Sequence, residues 1–94
     1  MGRRVAEPKS WYLYILECAG KRLYTGIAVD VDARFQAHVS GKGARFTKAF
    51  KPKRIAYVET HADRSAASSA EHAMKKLSAD QKWALIRAYS KASK

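Results

Sequence analysis

The alternation of apolar and polar residues near the start of this chain predicts a β-hairpin. Apolar and aromatic side chains dominate Trp11 to Cys18 and again Leu23 to Ala28, which is typical of half-buried strands. The residues between them include the turn-forming Gly20. Because this connection is too short for a crossover, the two strands must pair antiparallel.

The length of the turn decides which side chains share a face of the hairpin. A two-residue turn at Gly20–Lys21 would place Tyr14 opposite Ile27. Tyr14 and Tyr24 would then point to opposite faces, because side chains alternate along a strand. An odd-length loop with Gly20 as a left-handed bulge residue would place both tyrosines on one face.

The next segment has the spacing and the end signals of a helix over Asp30 to Ser40. Asp30 is a suitable N-cap, and Gly41 is a suitable C-cap. At about 100° per residue, three apolar side chains form a buried stripe: Val31, Phe35 and Val39. Arg34 and His38 lie a turn apart along one edge of this stripe, so we expect them at the rim between core and solvent.

The remaining chain predicts one more strand and two more helices. Ile55 to Glu59 alternates as a third strand, and Asp63 caps a second helix over Arg64 to Leu77, with a buried stripe of Ala66, Ala70, Ala73, Met74 and Leu77. Ser78 and Gln81 form a capping box that opens a third helix, Ala79 to about Tyr89. The fold class is therefore α/β of the α+β type, a three-stranded antiparallel sheet flanked by about three helices.

Length and charge narrow the function classes. Ninety-four residues allow one domain, for which we expect a loose basic arm at 1–10, a domain at 11–89 and a frayed tail at 90–94. The net charge of +11 favours a polyanionic partner such as nucleic acid. The sequence lacks an apolar run of membrane-spanning length and a signal-peptide core. We expect a cytoplasmic protein that can associate with the nucleoid, does not bind membranes, and is a monomer or weak dimer.

A basic segment between the first helix and the third strand is the candidate nucleic-acid surface. Its cations can neutralise phosphates: Lys42, Arg45, Lys48, Lys51, Lys53 and Arg54. Thr47 could donate a hydrogen bond to a phosphate oxygen. Phe46 and Phe50 are interpreted as anchors that attach this segment to the core. The single cysteine, Cys18, excludes an internal disulfide and is interpreted as a core residue.

An ordered set of residues resembles the GIY-YIG nuclease family. The first tripeptide of that family corresponds to Leu13-Tyr14-Ile15, and the second to Tyr24-Thr25-Gly26. Arg34 and His38 follow with the spacing Arg-x-x-x-His, and Glu71 falls in the predicted second helix. The resemblance covers roughly Trp11 to Ile86 and is closest to small stand-alone bacterial members.

The resemblance implies a phosphodiester-cleaving site. It assigns catalytic roles to Tyr14, Tyr24, Arg34, His38 and Glu71, with both tyrosines on one face and therefore an odd hairpin loop. Glu71 would bind a single Mg²⁺ or Mn²⁺ ion, and Arg34 would bind the scissile phosphate. Either tyrosine could be the general base, and His38 would orient Tyr24 or relay a proton.

The chain departs from the family pattern at two points. It contains no asparagine, whereas many relatives carry one after the glutamate; Gln81 and Lys75 are candidate substitutes. Leu13 stands where the first tripeptide usually begins with glycine. Three functions stay open: a metal-dependent endonuclease that prefers DNA and is not strictly sequence-specific, a nucleic-acid-binding module without turnover, and a module that contacts an acidic protein. In the last two, Glu71 is a surface residue paired with Lys75.

Overall fold

The structure of this protein is a computed structural model that describes residues 10–92. A 3₁₀ turn, Ala19–Lys21, joins the first two strands. The strands are β1 (Trp11–Cys18), β2 (Arg22–Ala28) and β3 (Pro52–His61), and the helices are α1 (Val31–Val39), α2 (Arg45–Ala49), α3 (Arg64–Lys75) and α4 (Ala79–Ala92). The predicted basic arm falls almost entirely on residues 1–9, outside the described residues.

The three strands form one antiparallel sheet in the order β2-β1-β3, which confirms the predicted fold class. The central strand β1 is buried on both sides, and its residues Leu13 to Leu16 are at most 1% exposed. Leu13 and Ile15 pack with Met74 and Ile86 of α3 and α4. The opposite face carries a second cluster, described below, under α1 and α2. The sheet is therefore covered by helices on both faces.

The β1–β2 hairpin has the odd loop. Tyr14 pairs with Gly26 and Leu16 pairs with Tyr24, so that three residues, Ala19–Lys21, form the connection. Gly20 has φ of 73°, in the left-handed region that glycine adopts without a steric penalty. The register confirms that Tyr14 and Tyr24 lie on the same face of the sheet.

Strand β3 is twice as long as the segment predicted from its alternation. It begins at Pro52 and ends at His61, and it follows β1 along its whole length with two register shifts. Proline is acceptable as the first residue of a strand because the N–H donor that it lacks is not needed by the ladder there. Lys53 and Arg54 are exposed, which an edge strand tolerates and which protects it from pairing with other chains.

Helix α1 has the predicted ends but a different buried face. Asp30 Oδ1 accepts a hydrogen bond from the Ala33 backbone N–H at 3.0 Å, and Gly41 follows the C-cap with φ of 85°. The predicted apolar stripe is only half-buried, and the buried residue of this helix is His38, at 1% exposure. The expected rim position of His38 is therefore wrong, because residues outside the helix cover it.

Helices α3 and α4 have the predicted starts. Asp63 caps α3, and Ser78 and Gln81 form the capping box of α4, with reciprocal hydrogen bonds of 3.1 and 2.9 Å. The buried side of α3 is centred on Ala67 and Met74, whereas Ala66 and Ala73 are exposed; the predicted stripe was rotated by about one residue. Helix α4 continues to Ala92, past the predicted end at Tyr89. Within residues 10–92, no helix combines the length and apolar content needed to cross a bilayer.

Candidate active site

The phenol of Tyr14 occupies the centre of the face that α1 and α2 cover. Tyr14 is 1% exposed, and its ring lies over Gly26 of the edge strand β2. A Cβ atom at Gly26 would lie only 2.5 Å from the Tyr14 hydroxyl. The glycine of the second tripeptide therefore makes room for the tyrosine of the first, a role that the motif itself did not reveal.

Tyr24 lies beside Tyr14 but is only half-buried. The two ring centroids are 6.4 Å apart, and the Tyr24 ring meets the imidazole of His38 edge-on at 5.1 Å. On its other side Tyr24 contacts Phe46 at 5.8 Å, and Phe46 contacts Phe50 at 5.1 Å. This chain of rings confirms that the two phenylalanines anchor the basic segment to the core.

His38 is buried because residues from three separate parts of the chain pack against its imidazole ring. Its Nε2 is 3.0 Å from the Tyr14 hydroxyl, and its Nδ1 is 2.8 Å from the Thr47 hydroxyl. Gly43 lies against the ring, and a Cβ there would collide with Nδ1. Burial lowers the pKa of His38, and the nearby charge of Arg34 lowers it further, so that the imidazole is neutral at pH 7.

The hydrogen bond of His38 goes to Tyr14, whereas the sequence had suggested Tyr24 as the residue that His38 orients. Burial is the main reason that the pKa of Tyr14 rises to about 12, and the neighbouring Tyr24 adds to the rise. Arg34 opposes it through its charge and a hydrogen bond to the phenol oxygen. Arg34 itself is exposed while its charge acts on the buried phenol, so its guanidinium links the buried tyrosine to solvent.

Glu71 acts on the same phenol from the other layer of the molecule. Helix α3 packs on the opposite face of the sheet, yet the Glu71 carboxylate contributes electrostatically to the raised pKa of Tyr14. The side chain is 23% exposed and pairs with Lys75 at 3.2 Å. Glu71 thus makes the ion pair with Lys75 that is expected of a surface glutamate, and it still lies within electrostatic range of Tyr14.

Any metal site here must be sparse. In residues 10–92, no three His, Cys, Asp or Glu side chains are grouped to hold an ion. Glu71 is the carboxylate that acts on the tyrosine cluster. One carboxylate with solvent access fits an ion that keeps most of its water, such as Mg²⁺. It does not fit an ion that requires a full set of protein ligands, such as structural Zn²⁺.

The basic segment lies mostly on the surface, with one correction. All six of its predicted phosphate-binding cations are exposed: Lys42, Arg45, Lys48, Lys51, Lys53 and Arg54. Arg54 is already paired with Glu17 at 2.7 Å. Thr47 is 1% exposed, and its hydroxyl is hydrogen-bonded to His38, so the predicted contact from Thr47 to a phosphate is wrong. Its role in the site could not be read from sequence, because it depends on a partner nine residues away.

The two candidate replacements for the family asparagine differ in position. Gln81 is exposed and uses its side-chain oxygen in the capping box. Lys75 holds its ammonium group against Glu71. Of the two, Lys75 is therefore the residue adjacent to the site.

Comparison with known proteins agrees with this geometry. The profile of the GIY-YIG catalytic domain matches residues 10–84. A UPF0213 protein of Cupriavidus necator is 48% identical over 73 residues, which cover 78% of this chain and 79% of the relative. A UPF0213 protein of Streptococcus sanguinis is 45% identical over 76 residues, covering 81% of this chain and 87% of the relative.

A solved structure gives the same result. The solution NMR structure of a UPF0213 protein from Bacillus halodurans matches with a TM-score of 0.53 and 37% identity, over 83% of both chains. The family match spans both tyrosines, Arg34, His38 and Glu71. The sequence profile, the relatives and the site residues thus lead to one conclusion: this chain belongs to the GIY-YIG nuclease family, within the group of small UPF0213 proteins.

Proposed function

We propose that this protein is a metal-dependent endonuclease that hydrolyses phosphodiester bonds, in DNA rather than RNA, and that recognises structure more than sequence. The observation that carries the proposal is the hydrogen-bonded Tyr14–His38 pair beside Tyr24, with the charges of Arg34 and Glu71 acting on the same phenol. Phosphodiester hydrolysis needs a base, a cation near the phosphate and orienting donors, and this cluster offers all three kinds of group.

The environments of the two tyrosines support different roles for them. Tyr14 is buried and its pKa is raised to about 12, which makes its phenolate costly to form. We assign Tyr14 to orienting the attacking water. Tyr24 is half-buried and therefore open to water. We assign it to accepting the proton of the attacking water as a phenolate, after its own hydroxyl proton has passed to solvent. Arg34 would neutralise the scissile phosphate through its forked donors.

Glu71 would hold the divalent ion, Mg²⁺ or Mn²⁺. When bound, such an ion supplies charge neutralisation at the phosphate and acidifies a coordinated water. The Lys75 ammonium lies 3.2 Å from Glu71 Oε2, so an ion coordinated by that oxygen would displace it. A substrate phosphate is a suitable new partner for that ammonium group.

The exposed cations of the basic segment would bind the nucleic-acid backbone. Arg45 and Lys48 lie on α2, whose Phe46 contacts Tyr24, and so they border the site. Phosphate contacts position a duplex without reading its sequence. This surface therefore supports structure-dependent or weakly selective cleavage.

The decisive experiment replaces Glu71 by glutamine and measures cleavage of single-stranded, duplex, flapped and branched DNA and RNA with Mg²⁺, Mn²⁺ or EDTA. We expect the native protein to cut DNA only with metal and Glu71→Gln to lose cutting while it keeps nucleic-acid affinity. Asp80→Asn, on the first turn of α4, removes the same charge outside the site and should cut normally. Undiminished cutting by Glu71→Gln would refute the assignment.

A nucleic-acid-binding module without turnover is the second candidate. The pairing of Lys75 with Glu71 favours it, because the carboxylate is already occupied, and so does the absence of asparagine from the sequence. The same panel distinguishes the two functions. This candidate requires salt-sensitive binding and no cleavage of any substrate with either metal.

A further inference from the structure

The buried hydroxyl of Thr47 determines how the proton of His38 is placed. Thr47 Oγ1 lies 2.8 Å from His38 Nδ1 and donates a hydrogen bond to the carbonyl oxygen of Ala44 at 2.9 Å. A threonine hydroxyl has a single proton. Since that proton is donated to Ala44, the contact with His38 requires the imidazole Nδ1–H to be the donor.

The competing arrangement is weaker. The backbone N–H of Ala44 also approaches His38 Nδ1, but at 3.4 Å, which is longer than the usual 2.7–3.2 Å range for such bonds. That contact would require a bare Nδ1 and would leave the 2.8 Å contact dependent on a reoriented hydroxyl. The shorter contact therefore favours the Nδ1–H tautomer.

We propose that Thr47 is a positioning residue that holds His38 in its Nδ1–H tautomer, so that the unprotonated Nε2 accepts a hydrogen bond from the Tyr14 hydroxyl. The Tyr14 oxygen then keeps its lone pairs for Arg34 and for a water in the site. In the other tautomer, Nε2–H would donate to Tyr14, occupy an oxygen lone pair and turn the phenol proton toward the site. The catalytic consequence rests on the proposed nuclease function; the tautomer itself does not.

Apart from the longer Ala44 contact, the surroundings of His38 supply no other group, among residues 10–92, that could fix this choice. Tyr14 faces Nε2 from β1, the Tyr24 ring faces the imidazole edge-on from β2, and Arg34 lies on the same helix. Burial and Arg34 keep the ring neutral by lowering its pKa, so that the tautomer is a real alternative. Gly43 closes the remaining side against Nδ1.

The test measures the imidazole nitrogens directly by long-range ¹H–¹⁵N NMR of the full-length protein near pH 7. We expect native His38 to show a protonated Nδ1 and a bare Nε2. Thr47→Val keeps the side-chain volume but removes the hydroxyl. Its two nitrogen signals should shift toward those of the Nε2–H tautomer or of a mixture of both tautomers, and Thr47→Ser should restore the native signals. A protonated Nε2 in the native protein, or unchanged signals in Thr47→Val, would overturn the proposal.

Cleavage kinetics form a separate arm. Thr47→Val should lower kcat at least about tenfold with little change in KM, as for other residues that fix a histidine tautomer, and Thr47→Ser should recover it. Thr60→Val, on the exposed part of β3, is the matched control. If native His38 shows the Nδ1–H signal but the native protein does not cleave any substrate, the nuclease function is refuted and the tautomer assignment stands. Should Thr47→Val fail to fold, the native and Thr47→Ser spectra still decide the assignment.

Discussion

Replacing Gly26 by alanine should damage the site through a single added methyl group. The new Cβ would lie 2.5 Å from the hydroxyl oxygen and 2.7 Å from Cζ of Tyr14, whereas such atoms normally pack at about 3.5–4.0 Å. The Tyr14 ring must recede by about 1 Å. We expect this shift to break the hydrogen bond to His38, which now spans 3.0 Å.

The cost can be estimated from its parts. Leaving the buried Nε2 of His38 unpaired costs about 1–3 kcal/mol, and forcing Tyr14 off its rotamer costs about 0.5–1.5 kcal/mol. Alanine also lowers the conformational entropy of the unfolded chain relative to glycine, which offsets about 0.4–1 kcal/mol of this destabilisation. The net destabilisation is about 0.5–4 kcal/mol, which corresponds to a fall in Tm of roughly 2–30 °C for a domain of this size.

The assay combines thermal unfolding by circular dichroism with cleavage rates. Gly41→Ala is the matched control: its φ of 85° strains an alanine by about 1–2 kcal/mol, but its Cβ would meet nothing within 4 Å. We expect both variants to lose stability and only Gly26→Ala to lose the NMR signature of the Tyr14–His38 hydrogen bond and the cleavage activity. A Gly26→Ala protein with native Tm and an intact hydrogen bond would refute the steric reasoning.

Three further outcomes follow from the same structure. Thr25 is 4% exposed, and its hydroxyl has no hydrogen-bond partner among residues 10–92. Thr25→Val should therefore raise the free energy of unfolding, measured in guanidinium, by about 1 kcal/mol. A lower guanidinium midpoint than that of the native protein would count against this. Replacing both Arg45 and Lys48 by alanine should reduce the log–log salt slope of duplex DNA binding by about 0.9 for each phosphate that the variant no longer neutralises; an unchanged slope would move the interface elsewhere. Burial raises the pKa of Tyr14 to about 12, above an unfolded value near 10. The stability that the neutral Tyr14 side chain contributes is therefore complete below pH 10 and is lost as the pH rises through 12. This loss is about 2–3 kcal/mol of the free energy of unfolding and should be missing from Tyr14→Phe; identical plots of stability against pH for the two proteins would contradict it.

Local signals explain what the sequence could predict. The bounds of β1 and the starts of α1, α3 and α4 are confirmed, because apolar runs and capping residues such as Asp30 and Asp63 act within a few positions of the chain. Placing both tyrosines on one face needed the family resemblance, since the turn residues alone allowed two loop lengths.

Long-range contacts explain what the sequence missed. His38 is buried because Tyr14, 24 residues away, and Thr47 on another helix satisfy its two nitrogens. Nothing in the helical pattern of α1 carries that information. Strand β3 gains residues at both ends from pairing with β1, and the buried side of α3 is set by how the helix meets the sheet rather than by its most apolar stripe.

The three-residue connection between β1 and β2 limits which insertions and deletions this protein can tolerate. Adding or removing one residue in Ala19–Lys21 while the connection stays three residues long would slip β2 by one position along β1 and carry Tyr24 to the layer of Met74 and Ile86. A change of two residues would preserve the side-chain alternation and move Tyr24 only along the strand. Length variation at this hairpin should therefore occur in steps of two, and a library of loop lengths selected for folding and activity would show that odd–even pattern directly.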